Sequence, residues 1–403
     1  MKCQFSEKND QGDRVFGLDF LRGLFVVMAV FEHYCGYFNF WYVDFFHREM
    51  PFWDTIYASH RDMAGVALPI DHLSATLFVY FIPWVSQIYL ALAAFNLSRR
   101  PQAEFASDLN KKLMVFGGAY IALLVESFIT APSFGEAISF YPVMLWMLLL
   151  ALFSMIYARF GIMGMLLFTP LAVMSAFGTD ESLFTMIQSW GQSNIHDDFE
   201  IDSYFNQFML SGCLGFIYGW FWHHNQKIKD VINYRVFIVS ACALAAYLIW
   251  GDSPSIDVHD VYANEHEMST SMINYLGVLG MEFLVMSLVL ILHQTNISLK
   301  WKPINWIGVY SLPIFLLHKV IFVHFWGPLL LIITAWANSQ LFQNFWLVAS
   351  LTLLTIAAIY GVERSGAISL PFGRQCRKNW QAHYNADERA EAVDPALWHN
   401  KNS

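Results

Sequence analysis

The sequence predicts an all-α, polytopic membrane protein of about ten transmembrane helices, both termini cytoplasmic. Three observations predict it. Of 403 residues, 56% are hydrophobic and only 14% charged, whereas ordinary globular domains run near ~45–50% and ~25%. Mean hydropathy is positive, +0.41. Apolar runs near the ~20 residues that cross a bilayer recur along the chain. A soluble two-domain enzyme fits the length but not the hydropathy, and 36 Phe and 15 Trp exclude disordered or collagen-like chains.

The runs, taken in order, are Phe16–Tyr37, Leu73–Leu97, Leu113–Ala131, Tyr141–Tyr157, Phe160–Phe177, Tyr204–Trp222, Val236–Trp250, Met272–His293, Ile304–Trp326 and Leu341–Tyr360. Only Ala158-Arg159 separates the fourth from the fifth, which predicts a tight hairpin. The seventh is short. Residues 1–14 form a polar cytoplasmic segment, 15–362 the ten-helix domain and 363–403 a cytoplasmic tail. The stretch after Arg14 carries Asp19 and Arg22 and ends in no small-residue cleavage pattern, unlike a cleavable signal.

Orientation follows from the Lys/Arg bias of the loops. One side collects Lys2, Lys8, Arg14, Arg99, Arg100, Lys111, Lys112, Arg159, Lys227, Lys229, Arg235, Lys300 and Lys302, together with the basic tail; the other has only Arg48 and Arg61. Loops 43–71, 178–203 and 251–271 are acidic, so the net charge of −9 is divided between a basic inner and an acidic outer face. No nucleic-acid partner is expected from such a pattern. The five cysteines show no C-x-x-C or Cys/His spacing, so neither a disulfide framework nor a metal is expected.

An ionisable residue inside a span costs at least ~2.5–3.5 kcal/mol on insertion scales and asks for an explanation. The first span holds Asp19, Arg22, Glu32 and His33. Arg22 and His33 are eleven residues apart, about three turns, so they share one stripe with ~16 Å of rise between them. Arg22 falls near the inner interface and His33 in the outer half. Glu126 lies ~20 Å up the third span and His318 ~21 Å up the ninth; Glu282 falls near mid-membrane. Two histidines and a carboxylate at matching depth suit acid–base chemistry in a polar cavity.

Structural readings stand beside these. Asp19 and Arg22 also fit an i,i+3 interfacial pair. His33 also fits an interhelical hydrogen bond, Glu32 a packing contact and Glu126 a partner for a cation. His318-Lys319 also fits a snorkelling pair. The cluster Arg99, Arg100, Lys111 and Lys112 serves topology, or receives phosphates such as those of coenzyme A.

Gly17-Leu18-Asp19-Phe20-Leu21-Arg22-Gly23, with His33 after ten further residues, resembles the membrane acyltransferase-3 family, whose first helix has a Leu-Asp-x-Leu-Arg-Gly start and an Arg, ten residues, His motif. Leu92-Ala93-Ala94-Phe95 lines up with that family's Leu-Ser-Gly-Phe, with Ala in place of Ser and Gly, and Arg99-Arg100 is adjacent where the family has Arg-x-x-Arg. In the ninth span, Gly308-Val309-Tyr310-Ser311 followed by Phe315-Leu316-Leu317-His318 looks like the family's Gly-x-x-Ser and Tyr-Leu-x-His, with Phe315 in the Tyr position. Heparan-type glucosaminide N-acetyltransferases belong to the same wider superfamily. Residues 115–295 match nothing in it.

The resemblance implies transfer of an acyl group, usually acetyl, from cytoplasmic acetyl-CoA (or another acyl-CoA) to an extracytoplasmic or lipid-linked cell-envelope glycan, in a bacterial inner membrane and among membrane lipid. Under it the candidate catalytic residues are His33, Arg22 and Glu126: His33 is general base or transient acyl carrier, Arg22 holds the coenzyme end, and Glu126 or Glu32 orients the imidazole. Arg99, Arg100, Lys111 and Lys112 would bind the coenzyme. Asp19, Glu32, Tyr310, Ser311 and His318 would contact substrate. The rival expectation is a proton-coupled secondary transporter with a mid-membrane His/carboxylate site. A scaffold subunit is a third.

Overall fold

The computed structural model describes residues 15–36, 87–102, 141–177, 204–225, 227–251, 272–295, 299–326, 345–366, 376–378 and 380–381, with isolated positions between 85 and 121 and at 297 and 329. Regular structure among them is helical throughout. In chain order the helices are α1 Phe16–Gly36, α2 Gln87–Leu97, α3 Tyr141–Phe177, α4 Tyr204–His224, α5 Lys229–Trp250, α6 Met272–Gln294, α7 Lys302–Val309, α8 Ser311–Ile321 and α9 Phe345–Ser365. Four helical stretches in this set are long and apolar enough to cross a membrane: Leu148–Met174, Lys229–Trp250, Met272–Gln294 and Phe345–Ser365.

Their outward faces agree with that reading. Leu167, Met174, Ile238, Val239, Leu248, Ile249, Trp346 and Leu353 are all exposed. A water-soluble protein does not leave apolar belts on several helices uncovered; a bilayer covers them.

α3 is not straight. Gly161 has φ 63° and ψ −158°, a left-handed conformation that glycine adopts without a Cβ penalty. Beyond it the chain doubles back, so that the rings of Phe153 and Phe168 come within 6.3 Å. The reversal sits at Gly161 rather than at Ala158-Arg159, because only the glycine tolerates the backbone required. α5 begins at Lys229, two turns earlier than the apolar run, since a helix ends where its backbone pairing ends and not where its hydrophobicity does. α9 likewise runs to Ser365, past the expected boundary at 362.

The ninth run is not one helix. α7 ends at Tyr310, α8 starts at Ser311, and residues Phe322–Trp326 form a π-helical turn. Pro313 explains the break: lacking an N–H, it cannot donate to Val309, one turn back.

α1 is the central element, contributing residues to two buried clusters while Leu24 stays exposed. Leu18, Leu21, Phe25 and Ala29 join a core shared with α2, α3, α4 and α6; Val26, Val30 and Tyr34 join a second core with α7, α8 and α9. Glycines let backbones touch. A Cβ on Gly215 or Gly219 would meet the α2 backbone at Ala91 and Phe95, 2.4–2.9 Å away, which is the close small-residue packing that lipid-embedded helices use in place of a hydrophobic driving force.

Candidate functional site

Two motif glycines bring α1 and α7 together. A Cβ on Gly23 would lie 2.0 Å from the Ile304 carbonyl oxygen, and one on Gly308 would lie 1.8 Å from that of Asp19. Asn305 fastens the N-terminal ends of the two helices: its Nδ2 donates to the Phe16 carbonyl at 2.8 Å, and its Oδ1 accepts from the Trp301 N–H at 2.7 Å. With this register set, His33 and His318 each stand ten residues beyond their glycine, and the two rings meet.

His33 Nδ1 lies 2.7 Å from His318 Nε2, with His318 only 1% exposed. The tautomers follow from the neighbours. His318 Nδ1 faces the Phe315 carbonyl, which only accepts, so Nδ1 carries the hydrogen. Neutral His318 then offers a lone pair at Nε2, and His33 Nδ1–H donates to it. A backbone carbonyl thus orients one imidazole, which orients the other, as a carboxylate orients the base of a catalytic triad.

A second chain of donors braces His318 from behind. Trp326 Nε1–H donates to Thr355 Oγ1 at 2.8 Å. Tyr34 Oη and Thr355 Oγ1 are 2.8 Å apart, and Tyr34 donates to the His318 carbonyl at 3.0 Å. Since that carbonyl takes the Tyr34 proton, Thr355 is the donor to Tyr34. The π-helical turn at Phe322–Trp326 is what delivers Trp326 to Thr355; such wide turns recur at functional positions.

Aromatic rings cover one side of the pair. Phe315 lies 5.7 Å from His33 and 5.3 Å from His318, centroid to centroid. It also meets Trp146 at 5.8 Å and Tyr89 at 6.5 Å, and Tyr89 stacks on Trp146 at 6.0 Å. The Tyr89 hydroxyl donates to the Arg22 carbonyl at 3.1 Å. The ring layer therefore reaches from the level of Arg22 to that of His33.

The other expected residues are placed as follows. Arg22 Nη1 is 3.6 Å from Asp19 Oδ1 on the preceding turn, about three turns and ~16 Å of rise from His33. Asp19 is buried and pairs near the start of α1 rather than beside the histidines. The Tyr310 hydroxyl donates to Glu363 Oε1 at 3.1 Å, and Arg377 donates to the same oxygen from Nη2 at 2.7 Å and Nε at 3.0 Å. Tyr310 therefore helps hold the segment after α9 against the bundle, and these hydrogen bonds raise the Arg377 guanidinium above its ordinary range. Ser311 is half-buried at the start of α8. Arg99 and Arg100, half-buried, follow α2. Lys111, Lys112 and Glu126 lie outside the described residues, as does the side chain of Glu32.

Sequence reasoning passed over Tyr34, Thr355, Trp326, Tyr89 and Trp146. Tyr34 is adjacent to His33, but nothing in spacing or composition marks the others, because their partners come from distant segments.

Compared with known protein families and with curated proteins, the chain matches no family model and no curated sequence.

Proposed function

We propose that the protein is a membrane-embedded acyltransferase moving an acetyl or other short acyl group from cytoplasmic acyl-CoA to a hydroxyl or amine of an extracytoplasmic or lipid-linked cell-envelope glycan. The observation that supports this reading is the His33–His318 pair, Nδ1 to Nε2 at 2.7 Å with His318 buried, in which we take His33 as the base. The proposal includes ten spans, cytoplasmic termini and residence in a bacterial inner membrane, as the loop charges and the span-one resemblance suggest.

In this mechanism His33 Nε2 accepts the proton of the acceptor hydroxyl as its oxygen attacks the acyl carbonyl carbon. His33 Nδ1–H stays on His318, which stabilises the imidazolium that forms. The carbon–sulfur bond breaks and the proton passes from His33 to the departing sulfur, so no net proton is released. Arg99 and Arg100, at the inner end of α2, suit the phosphates of the donor because a guanidinium binds phosphate in bidentate fashion. Arg22, ~16 Å below His33, holds the donor arm rather than the reacting atoms.

Acetyl-CoA consumption by detergent-purified protein tests this. Slow hydrolysis or transfer that disappears in His33→Ala, with the melting transition retained, is the expected result. Wild-type protein that neither binds nor turns over acetyl-CoA removes the reading.

One observation favours proton-coupled transport instead. Glu282 is fully buried in α6, bonded to Ser211 Oγ at 3.3 Å, and its Oε2 has no hydrogen-bond partner. Buried intramembrane carboxylates of this kind serve proton relays. Proton-driven uptake into vesicles that Glu282→Gln abolishes would establish that alternative.

A further inference from the structure

Among the described residues, buried polar atoms without a hydrogen-bond partner include the indole nitrogens of Trp146 and Trp222. An indole N–H only donates, and a buried donor left unsatisfied is costly enough that its presence calls for an explanation. Trp222 stands at the inner end of α4, where the Lys229 ammonium lies 3.7 Å over its ring. Trp146 stands in the ring layer that touches the histidine pair, against Phe315, Tyr89 and, at 6.1 Å, Phe208. A polar donor set among apolar rings, one of which, Phe315, also touches both histidines, suits a ligand with one strong acceptor and a small apolar part.

We propose that Trp146, Phe315 and Tyr89 form the subsite for the acyl group of the donor thioester, with Trp146 Nε1–H donating to the carbonyl oxygen and Phe315 limiting the alkyl part to a short chain. This rests on the acyl-transfer reading above and adds to it the group that receives the developing charge. As the acceptor oxygen–carbon bond forms, the carbonyl π electrons move onto the oxygen facing Trp146; they return as the carbon–sulfur bond breaks. The hydroxyl proton meanwhile goes to His33 Nε2 and then to sulfur. A donor already in place and shielded from water is most effective when that charge appears.

Phe315 restricts chain length because it is fixed on four sides, by His33, His318, Trp146 and Tyr89. It has no room to turn aside for added methylenes, and overfilling a packed apolar site is unfavourable.

The test uses full-length protein in detergent with acetyl-CoA and butyryl-CoA as donors. Trp146→Phe keeps a ring and removes the N–H. Its expected result is a kcat lower by about 100-fold, the usual loss for one such donor, with KM for acetyl-CoA within about twofold. Trp222→Phe, which removes the other unsatisfied indole, leaves kcat unchanged. Phe315→Ala raises the butyryl-to-acetyl ratio of kcat/KM by about tenfold or more. Wild-type kcat in Trp146→Phe, or an unchanged ratio in Phe315→Ala, overturns the subsite while leaving acyl transfer standing. Wild-type protein inert toward both donors overturns acyl transfer and the subsite with it. If Trp146→Phe does not fold, the Phe315→Ala ratio decides.

Discussion

Replacing Gly308 with alanine isolates the contact on which the histidine pair depends. The added Cβ would sit 1.8 Å from the Asp19 carbonyl oxygen, 2.7 Å from its carbon and 3.1 Å from the Gly23 nitrogen, whereas ordinary contacts lie at 3.4 Å or more. All three atoms are backbone, so no side chain can turn aside. The helices must separate by ~1.5 Å, a form of overpacking that typically costs ~1–3 kcal/mol. A rigid shift of that size would lengthen the 2.7 Å bond between His33 and His318 beyond the ~3.5 Å at which a hydrogen bond is lost. One methyl group should therefore lower both stability and turnover. Thermal unfolding in detergent should drop by several degrees, at ~2–4 °C per kcal/mol for a large domain, and acetyl-CoA turnover should fall with it. Gly23→Ala strains the same contact from the other helix, so the double substitution should cost less than the two singles combined. Melting temperatures within about 1 °C of wild type in both single variants, with turnover intact, would refute the argument that α1 and α7 set the site.

The remaining predictions concern the supports. Tyr34→Phe removes the donor to the His318 carbonyl and the acceptor for Thr355; it should cost ~1–3 kcal/mol of stability as those buried groups lose their partner, measured by urea or thermal unfolding. Arg377→Ala leaves the buried Glu363 carboxylate without its guanidinium. That variant should lower the melting temperature and speed protease cleavage after α9, with Arg377→Lys restoring only part because lysine lacks the fork that binds Glu363 through two nitrogens. His33→Ala should abolish acetyl-CoA turnover while the protein remains folded, as judged by its melting transition.

Local chemistry made much of this legible in advance. The composition and the recurring apolar runs require a helical, lipid-embedded chain, because backbone polar groups in hydrocarbon have to be satisfied within each segment. Helical rise alone put His33 and His318 at similar depths, since distance along a helix is proportional to residue count. It could not say that their rings face one another, which depends on how two helices separated by some 270 residues are rotated and docked. The same limit applies to Tyr310. Its motif position resembles a substrate contact, yet its hydroxyl goes to Glu363 because the chain after α9 folds back beside it.

Sequence by itself determined the fold class, the candidate spans, the expected inner and outer faces and the identity of the ionisable groups that a bilayer would otherwise exclude. Tertiary structure decided which of those groups meet. It brought the histidines together by a glycine-to-backbone contact, oriented the His318 ring through the Phe315 carbonyl, held the His318 backbone through a Tyr34–Thr355–Trp326 chain, and set Trp146 against Phe315. Hydropathy and helical period are sums over neighbours in the chain, whereas a hydrogen bond is decided at sub-ångström scale between segments the sequence keeps far apart.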